Sequence, residues 1–329
     1  MDAKEVNERL RKAQKLFYER NYEMALVELD ELAHIVPDNP EVYYWRGKTL
    51  ATDLNEENLK GAVEEFSQAI NLKPDFAESY FERGKIFIQL GELEKAKEDF
   101  KKAAELNPKL TESYVYLAQI ELAQGNDQEA LKYLEKSSHG KKDYKYYFSL
   151  GKIHFNNKRY EQAVEYLSKA IQENPYLVDA YDLRAKSFKE LGKYKEAIED
   201  FKRAYTLMPE EKSFFVEISK VHFLLALEEY KKGNIEAAAD EIVKGMEINY
   251  DIKLDDQFKK ILIEAGKRLI ETNPKKAIVY FDFALRLVED EDFMKEETER
   301  KEIQKLRKEA IKRLPLKEKL VKIISDIYG

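Results

Sequence analysis

Residues 77–110 read AESYFERGKIFIQLGELEKAKEDFKKAAELNPKL. Tyr80, Gly84 and Phe87 recur at spacings of four and three, which puts them on one face of a helix. Gly91 interrupts that face, and Ala96, Phe100 and Ala103 start the same rhythm again before Pro108 ends it. The stretch therefore predicts two helices joined by a short turn at Gly91, where glycine supplies a left-handed backbone conformation at little cost. The proline terminates the second helix.

The stretch is one of a series. Pro74 and Pro108 are 34 residues apart, as are Pro175 and Pro209. Pro37 precedes Pro74 by 37 residues, or 34 plus three, and Pro108 precedes Pro175 by 67, with Lys142 where an intervening proline would stand. A fixed period of this length marks a tandem array. Aligned on the prolines, small residues form a column at Ala13, Gly47, Gly84, Ala118, Gly151 and Ala185. A second column is alanine throughout: Ala25, Ala62, Ala96, Ala130, Ala163 and Ala197. Four residues further stand Leu29, Phe66, Phe100, Leu134, Leu167 and Phe201, and three beyond those Leu32, Ala69, Ala103, Ser137, Ala170 and Ala204. Antiparallel helices approach closely only where side chains are small, and the large residues fill the space beside the contact. Gly125, Gly192 and Gly233 mark further turns of the Gly91 kind.

The repeats so defined are 6–39, 40–76, 77–110, 111–143, 144–177 and 178–211, six regular units making up region 1–211. The second carries three extra residues, expected in its turn around Asn55-Glu56-Glu57. Beyond 211 the pattern loosens. Residues 212–232 read as one longer helix, and Gly233, Ala238, Ile242 and Gly245 recover a seventh pair. Ala265, Ala277, Phe281 and Ala284 fit an eighth, with Asn273-Pro274 in the turn inside it, so 212–291 is expected to hold two divergent helix pairs. The remainder, 292–329, predicts a charged amphipathic helix over 293–314 and a short helix over 316–328. The latter carries Leu316, Leu320, Ile323, Ile324 and Ile327 on one face, suited to capping the last repeat.

These columns resemble the tetratricopeptide repeat, whose pattern is an aromatic, a Leu-Gly pair, a Tyr-like position, then Gly, Ala, an aromatic, Ala and Pro. In 77–110 it reads Tyr80, Arg83-Gly84, Phe87, Gly91, Ala96, Phe100, Ala103, Pro108. In 144–177 it reads Tyr147, Leu150-Gly151, His154, Lys158, Ala163, Leu167, Ala170, Pro175; in 178–211, Tyr181, Arg184-Ala185, Phe188, Gly192, Ala197, Phe201, Ala204, Pro209. The resemblance implies an all-α fold, a right-handed superhelical solenoid of antiparallel helix pairs with C-terminal capping helices. It also implies that the first helix of each pair lines a concave groove. The inward positions carried over are Leu10, Tyr44, Phe81, Val115, Phe148 and Asp182, then one turn later Gln14, Lys48, Lys85, Gln119, Lys152 and Lys186, with Trp45 at the edge. The groove so implied has an apolar, aromatic track beside a lysine-rich one. Tyr44, Trp45, Lys48, Phe81, Lys85, Val115, Gln119, Phe148, Lys152 and Lys186 are its candidate binding residues. A family subclass grips acidic C-terminal tails with asparagines at two inward positions; this chain has Gln14 or Lys48 and Trp45 or Glu82 there, so that specificity is not expected.

Composition narrows the function. The 329 residues are 37% charged and 43% hydrophobic, with 57 basic and 64 acidic side chains interspersed to a net charge of −7. That is too apolar for a disordered chain and lacks the basic footprint of a nucleic-acid binder. The absence of cysteine removes disulfides and thiol chemistry. There is no run of about 18 apolar residues to span a membrane, and the N-terminal residues have no apolar signal core, so a cytoplasmic protein is expected. The histidines His34, His139, His154 and His222 share no metal-ligand spacing, the glycines are solitary, and the acidic runs read as solvated faces. No catalytic residue, metal site or cofactor is expected. The sequence predicts a non-catalytic scaffold that holds a partner protein, as a peptide or helix with apolar and acidic residues, in its groove. The alternative is an assembly unit that dimerises through 316–328.

Overall fold

The structure is a computed structural model that describes residues 2–140, 142–249, 254–288 and 293–315, and beyond these 318, 319, 321, 322, 325 and 326. Among the described residues there are 17 α-helices and no strand. The chain divides into two compact units, Met1–Arg159 and Tyr160–Gly329.

The first unit holds α1 (Ala3–Tyr18), α2 (Tyr22–Ile35), α3 (Pro40–Leu50), α4 (Glu56–Leu72), α5 (Ala77–Gln89), α6 (Leu93–Leu106), α7 (Glu112–Ala123), α8 (Asp127–Ser137) and α9 (Tyr144–Asn156). The second holds α10 (Tyr160–Glu173), α11 (Val178–Glu190), α12 (Tyr194–Leu207), α13 (Ser213–Lys231), α14 (Ile235–Ile248), α15 (Asp256–Leu269), α16 (Pro274–Arg286) and α17 (Phe293–Arg313). Within each unit every helix packs on the next in the chain, and in the first unit α1 also touches α3, and α7 touches α9.

The small and large columns form the seams of these pairs. All six alanines of the second column are fully buried, as are Leu29, Phe66, Phe100, Leu134, Leu167 and Phe201 beside them. The fit is close enough to exclude a methyl group: a Cβ on Gly47 would lie 2.9 Å from the Phe66 ring, and one on Gly84 3.0 Å from that of Phe100. Interiors packed to this density resist added volume.

The turns inside the pairs share one construction. Gly91, Gly125, Gly192 and Gly233 have φ of +77°, +79°, +71° and +83°. After each, the next residue's N–H reaches back to the carbonyl five residues earlier, as Glu92 does to Phe87 at 2.8 Å and Asn126 to Glu121 at 2.8 Å. This satisfies carbonyls the helix end leaves open. Arg20 and Lys158 occupy the same place with φ of +63° and +57°, and Asn21 and Arg159 close the same bond to Leu16 and His154. Two turns thus adopt the left-handed geometry without glycine, at a strain of roughly 1 kcal/mol each. Between pairs, Val36, Lys73, Asn107 and Met208, each preceding a proline, leave helical geometry with ψ of 67°, 88°, 88° and 75°. The proline ring disfavours helix in the residue before it.

The three extra residues of the second repeat do not simply lengthen its turn. Asn55 caps α4, its side chain accepting from the Asn58 N–H at 2.8 Å, so Glu56 and Glu57 lie in the first helical turn. At 17 residues α4 is longer than α2 or α6 at 14. Acidic residues suit that position, facing the positive end of the helix dipole.

In the second unit, α13 is a 19-residue helix and α14 pairs with it. The small-against-large logic persists with its members exchanged: Gly245 on α14 takes the Phe223 ring from α13, where a Cβ would meet it at 2.6 Å. Pro274 opens α16 at its first turn, where a missing N–H costs nothing, and Asn273 caps it. Arg307 of α17 bonds Asp282 of α16 and, at 2.9 Å, both carboxylate oxygens of Asp326. Lys322 reaches Asp282 at 3.0 Å and Lys275 reaches Glu318 at 2.9 Å. The apolar face expected over 316–328, formed by Leu316, Leu320, Ile323, Ile324 and Ile327, lies outside the described residues.

Candidate functional site

Side chains four apart share one helix face, so α3 presents Tyr44 with Lys48, α5 Phe81 with Lys85, α7 Val115 with Gln119, and α9 Phe148 with Lys152. The first unit brings several of these together. Tyr44 rests half-buried against Phe66 and Phe76, with ring centres 5.9 and 5.0 Å away. Phe81 lies 5.7 Å from both Phe100 and Tyr116, edge-on, while Tyr116 stacks flat on Phe100 at 4.8 Å. These aromatics are therefore half core and half surface. Val115 and Leu10 are buried outright, while Gln119, Phe148 and Lys152 are half-buried.

A cavity of about 200 Å³ is lined by Phe81 and Lys85 from α5, Glu112, Val115 and Tyr116 from α7, and Asp143 and Lys145 at the start of α9. Its floor is apolar and its rim carries both signs of charge. Asp143 accepts the Lys145 and Tyr146 N–H groups at 3.1 Å and so caps α9. The Lys145 ammonium donates to the Tyr116 hydroxyl, whose own proton is held more tightly than usual because the phenol is buried.

The lysines differ in what they meet. Lys85 pairs with Glu82 at 2.5 Å, and in the second unit Lys186 on α11 pairs with Asp182 at 2.6 Å. Lys48 has no salt bridge among the described residues. Its ammonium sits 4.4 Å from the centre of the Trp45 ring, 5.3 Å from Phe17 and 5.5 Å from Tyr44. Phe17 and Tyr18 pack edge-on against Trp45 at 5.5 and 5.9 Å. Burial lowers the basicity of Lys48, with the charge of Glu82 pulling it back up and that of Lys85 pushing it down.

One set of polar residues was not among the candidates. Arg83 donates to both oxygens of Asp99, at 2.7 and 2.8 Å, and to the Ser67 hydroxyl of the preceding repeat at 2.9 Å. Arg184 repeats this with Asp200 and Ser168 at the same three distances. Arg46 joins Glu65 at 3.0 Å and Asp30 at 2.9 Å in the equivalent places. Burial pushes the Asp99 carboxyl above the usual carboxylate range despite Arg83. These joints tie one repeat to the next, and the 16-residue spacing of Arg83 to Asp99 and Arg184 to Asp200 is their signature in the sequence. Among the described residues no cluster of His, Asp or Glu could hold a metal ion, and no helix is long and apolar enough to cross a membrane.

Comparison with known proteins places these features. The family profile described as tetratricopeptide repeat matches 77–110 and one described as TPR repeat matches 55–91. A profile described as anaphase-promoting complex, cyclosome, subunit 3 matches 123–204. A search of curated proteins finds no match. Among solved structures, the chain is similar to the C-terminal part of a TPR repeat-containing protein from Cytophaga hutchinsonii, at 18% identity over 74% of this chain and 96% of that one, with a TM-score of 0.52. It is also similar to pilF of Pseudomonas aeruginosa, at 18% identity over 62% and 92% and a TM-score of 0.55. A tetratricopeptide repeat protein from Parabacteroides merdae matches at 17% identity over 79% and 98%, with a TM-score of 0.50. At these identities the likeness is one of fold.

Proposed function

We propose that this chain, a tetratricopeptide-repeat protein, holds a segment of a partner protein against the first-helix faces of its N-terminal unit. Repeats of this kind form protein–protein interaction scaffolds. The observation that carries the finer reading is the surface that α1, α3, α5, α7 and α9 build together. Phe17 and Tyr18 meet Trp45, Tyr44 adjoins it, Phe81 meets Tyr116, and Tyr116 meets Lys145. Half-buried aromatics beside a cavity sized for about one side chain suit apolar anchors of an extended segment or helix. Lys48 and Lys152, which have no carboxylate partner among the described residues, favour acidic neighbours to those anchors.

Self-association through 316–328 draws less support. Glu318, Lys322 and Asp326 are engaged by Lys275, Asp282 and Arg307 of their own chain. Those contacts suit a cap on α16 and α17.

Site-specific photo-crosslinking tests the proposal. A benzoyl-phenylalanine placed at Tyr18 or Lys85 is expected to capture partner protein in cells that express the chain natively, whereas one at Lys101 on α6 or Lys132 on α8 is not. Equal capture from both sets of positions would remove the inner face as the binding surface.

A further inference from the structure

Several buried or half-buried lysines of this protein are matched by carboxylates, Lys97 by Glu121 at 2.8 Å, Lys189 by Glu217 at 2.9 Å and Lys259 by Glu299 at 2.8 Å, while Lys145 donates to the Tyr116 hydroxyl. Lys48 is half-buried too, yet it forms no salt bridge and its N–H groups donate no hydrogen bond among the described residues. Its ammonium instead lies over three ring faces, Trp45 nearest at 4.4 Å. Ring faces attract a cation but leave its outward N–H donors unused. Lys152 shares the lack of a carboxylate but has no such ring beneath it. The ring of Tyr18, edge-on to Trp45 at 5.9 Å, is 71% exposed and leaves an open aromatic surface beside that cluster.

We infer that Lys48, seated on Phe17, Tyr44 and Trp45, is the acidic anchor point of the groove: it takes one aspartate or glutamate side chain from within the partner segment, and the apolar residue next to that carboxylate lies on Tyr18 and Trp45. The inference rests on the groove reading above and deepens it. Three features argue for it. The carboxylate supplies the acceptor that the ammonium lacks. The flanking apolar residue covers rings that are otherwise wet. The rings keep Lys48 from extending into solvent, so little conformational freedom is lost when the pair forms. The anion is a side chain and not a chain terminus because the recognition surface continues on both sides of Lys48. Phe17 and Tyr18 of α1 lie on one side, and the charges of Glu82 and Lys85 of α5 act on it from the other. A segment lying there runs through the site. Lys85 is the weaker candidate, since Glu82 already occupies it at 2.5 Å.

Trp45 is the only tryptophan in the chain, so its fluorescence reports on this point directly. The experiment selects binders to the full-length chain from a displayed library of random 12-residue peptides held at both ends. The recovered peptides are then synthesised and titrated against Trp45 emission. The expected result is enrichment of Asp or Glu beside an aromatic or aliphatic residue. Glu→Gln in the peptide and Lys48→Met in the protein should each weaken binding at least tenfold, with no further loss when combined. Lys48→Arg should restore binding to within about threefold of the starting chain. Lys48→Met keeps an apolar cover on the rings, and unchanged helical content by circular dichroism separates loss of charge from loss of fold. Peptides that bind equally well with Gln in place of Glu overturn the inference while leaving the groove in place, as do binders that come only from a parallel library displayed with free C-termini. No binder from either library overturns the groove reading, and this inference with it.

Discussion

The pairs α5–α6 and α7–α8 are neighbours with the same skeleton and different joints. Ala96 and Ala130 are both fully buried, Phe100 and Leu134 fill the space beside them, and Gly91 and Gly125 turn the chain at φ of +77° and +79°. Where α5–α6 sets Arg83 against Asp99, however, α7–α8 has Leu117 and Tyr133 at the corresponding positions, and both belong to an apolar cluster. One repeat is bolted by a buried ion pair and the next by hydrophobic contact, with no change in helix pairing. The nesting of small against large side chains sets the fold, and the polar joint is exchangeable. This agrees with the general finding that a buried ion pair can be replaced whole but not halved.

That comparison can be broken most sharply at Arg83. Arg83→Leu alone leaves the Asp99 carboxylate buried without a partner and is expected to cost about 3–5 kcal/mol in urea denaturation. Arg83→Leu with Asp99→Tyr copies the neighbouring repeat and should recover most of that loss; a double variant no better than the single would mean the joints are not equivalent. Next in size, Ala96→Leu and Ala130→Leu should each destabilise by about 1–3 kcal/mol through overpacking. The two losses should be alike, since the alanine does the same work in both repeats. An unchanged midpoint for either one breaks the shared skeleton.

Smaller effects sharpen the same contrast. Arg20→Gly and Lys158→Gly relieve left-handed strain at turns whose counterparts are already glycine, and each should stabilise by about 0.5–1 kcal/mol, the gain in strain exceeding the added chain entropy. The acid limb of stability separates α6 from α7. Burial raises the proton affinity of Glu121, but hydrogen bonds from Lys97 and Asn126 outweigh it and hold the carboxyl below its ordinary range. Its contribution is thus present above the unfolded carboxylate value and lost as the pH falls through the lowered one. Asp99 is shifted upward by burial, so its contribution has the opposite sign, present below the unfolded value and lost as the pH rises through the raised one. Glu121→Gln should flatten the fall in Tm on acidification below about pH 4.3, and Asp99→Asn should remove a gain in Tm that acidification brings above about pH 3.9.

Much of this was legible in the residues. The alanine and large-residue columns carry the fold in volume alone, and volume is written in the sequence. The turns were legible at Gly91 or Gly192, but not at Arg20 or Lys158, where the closing hydrogen bond and not the residue type enforces the geometry. The Arg83–Asp99 joint was missed because a 16-residue pairing of opposite charges does not stand out in a chain that is 37% charged. The extra residues around Asn55 read as loop because their polarity suits a turn, yet the same Asn55 is a good helix cap. The candidate binding surface was the least legible part. That Lys85 and Lys186 are neutralised by acids three and four residues earlier follows from local spacing. Lys48 depends on Phe17, 31 residues away on another helix, and only packing reveals that contact.

Hydroxyl-radical footprinting of the full chain, alone and bound to a peptide selected on it, bears most directly on the claim that the inner helix face is where a partner lies. Tyr18 and Tyr176 are matched reporters, 71% and 74% exposed, the first beside Trp45 and the second in the turn before α11. The account predicts that binding protects Tyr18 and Trp45 from oxidation while Tyr176 reacts as before. Protection of Tyr176 with Tyr18 and Trp45 left fully reactive would contradict it.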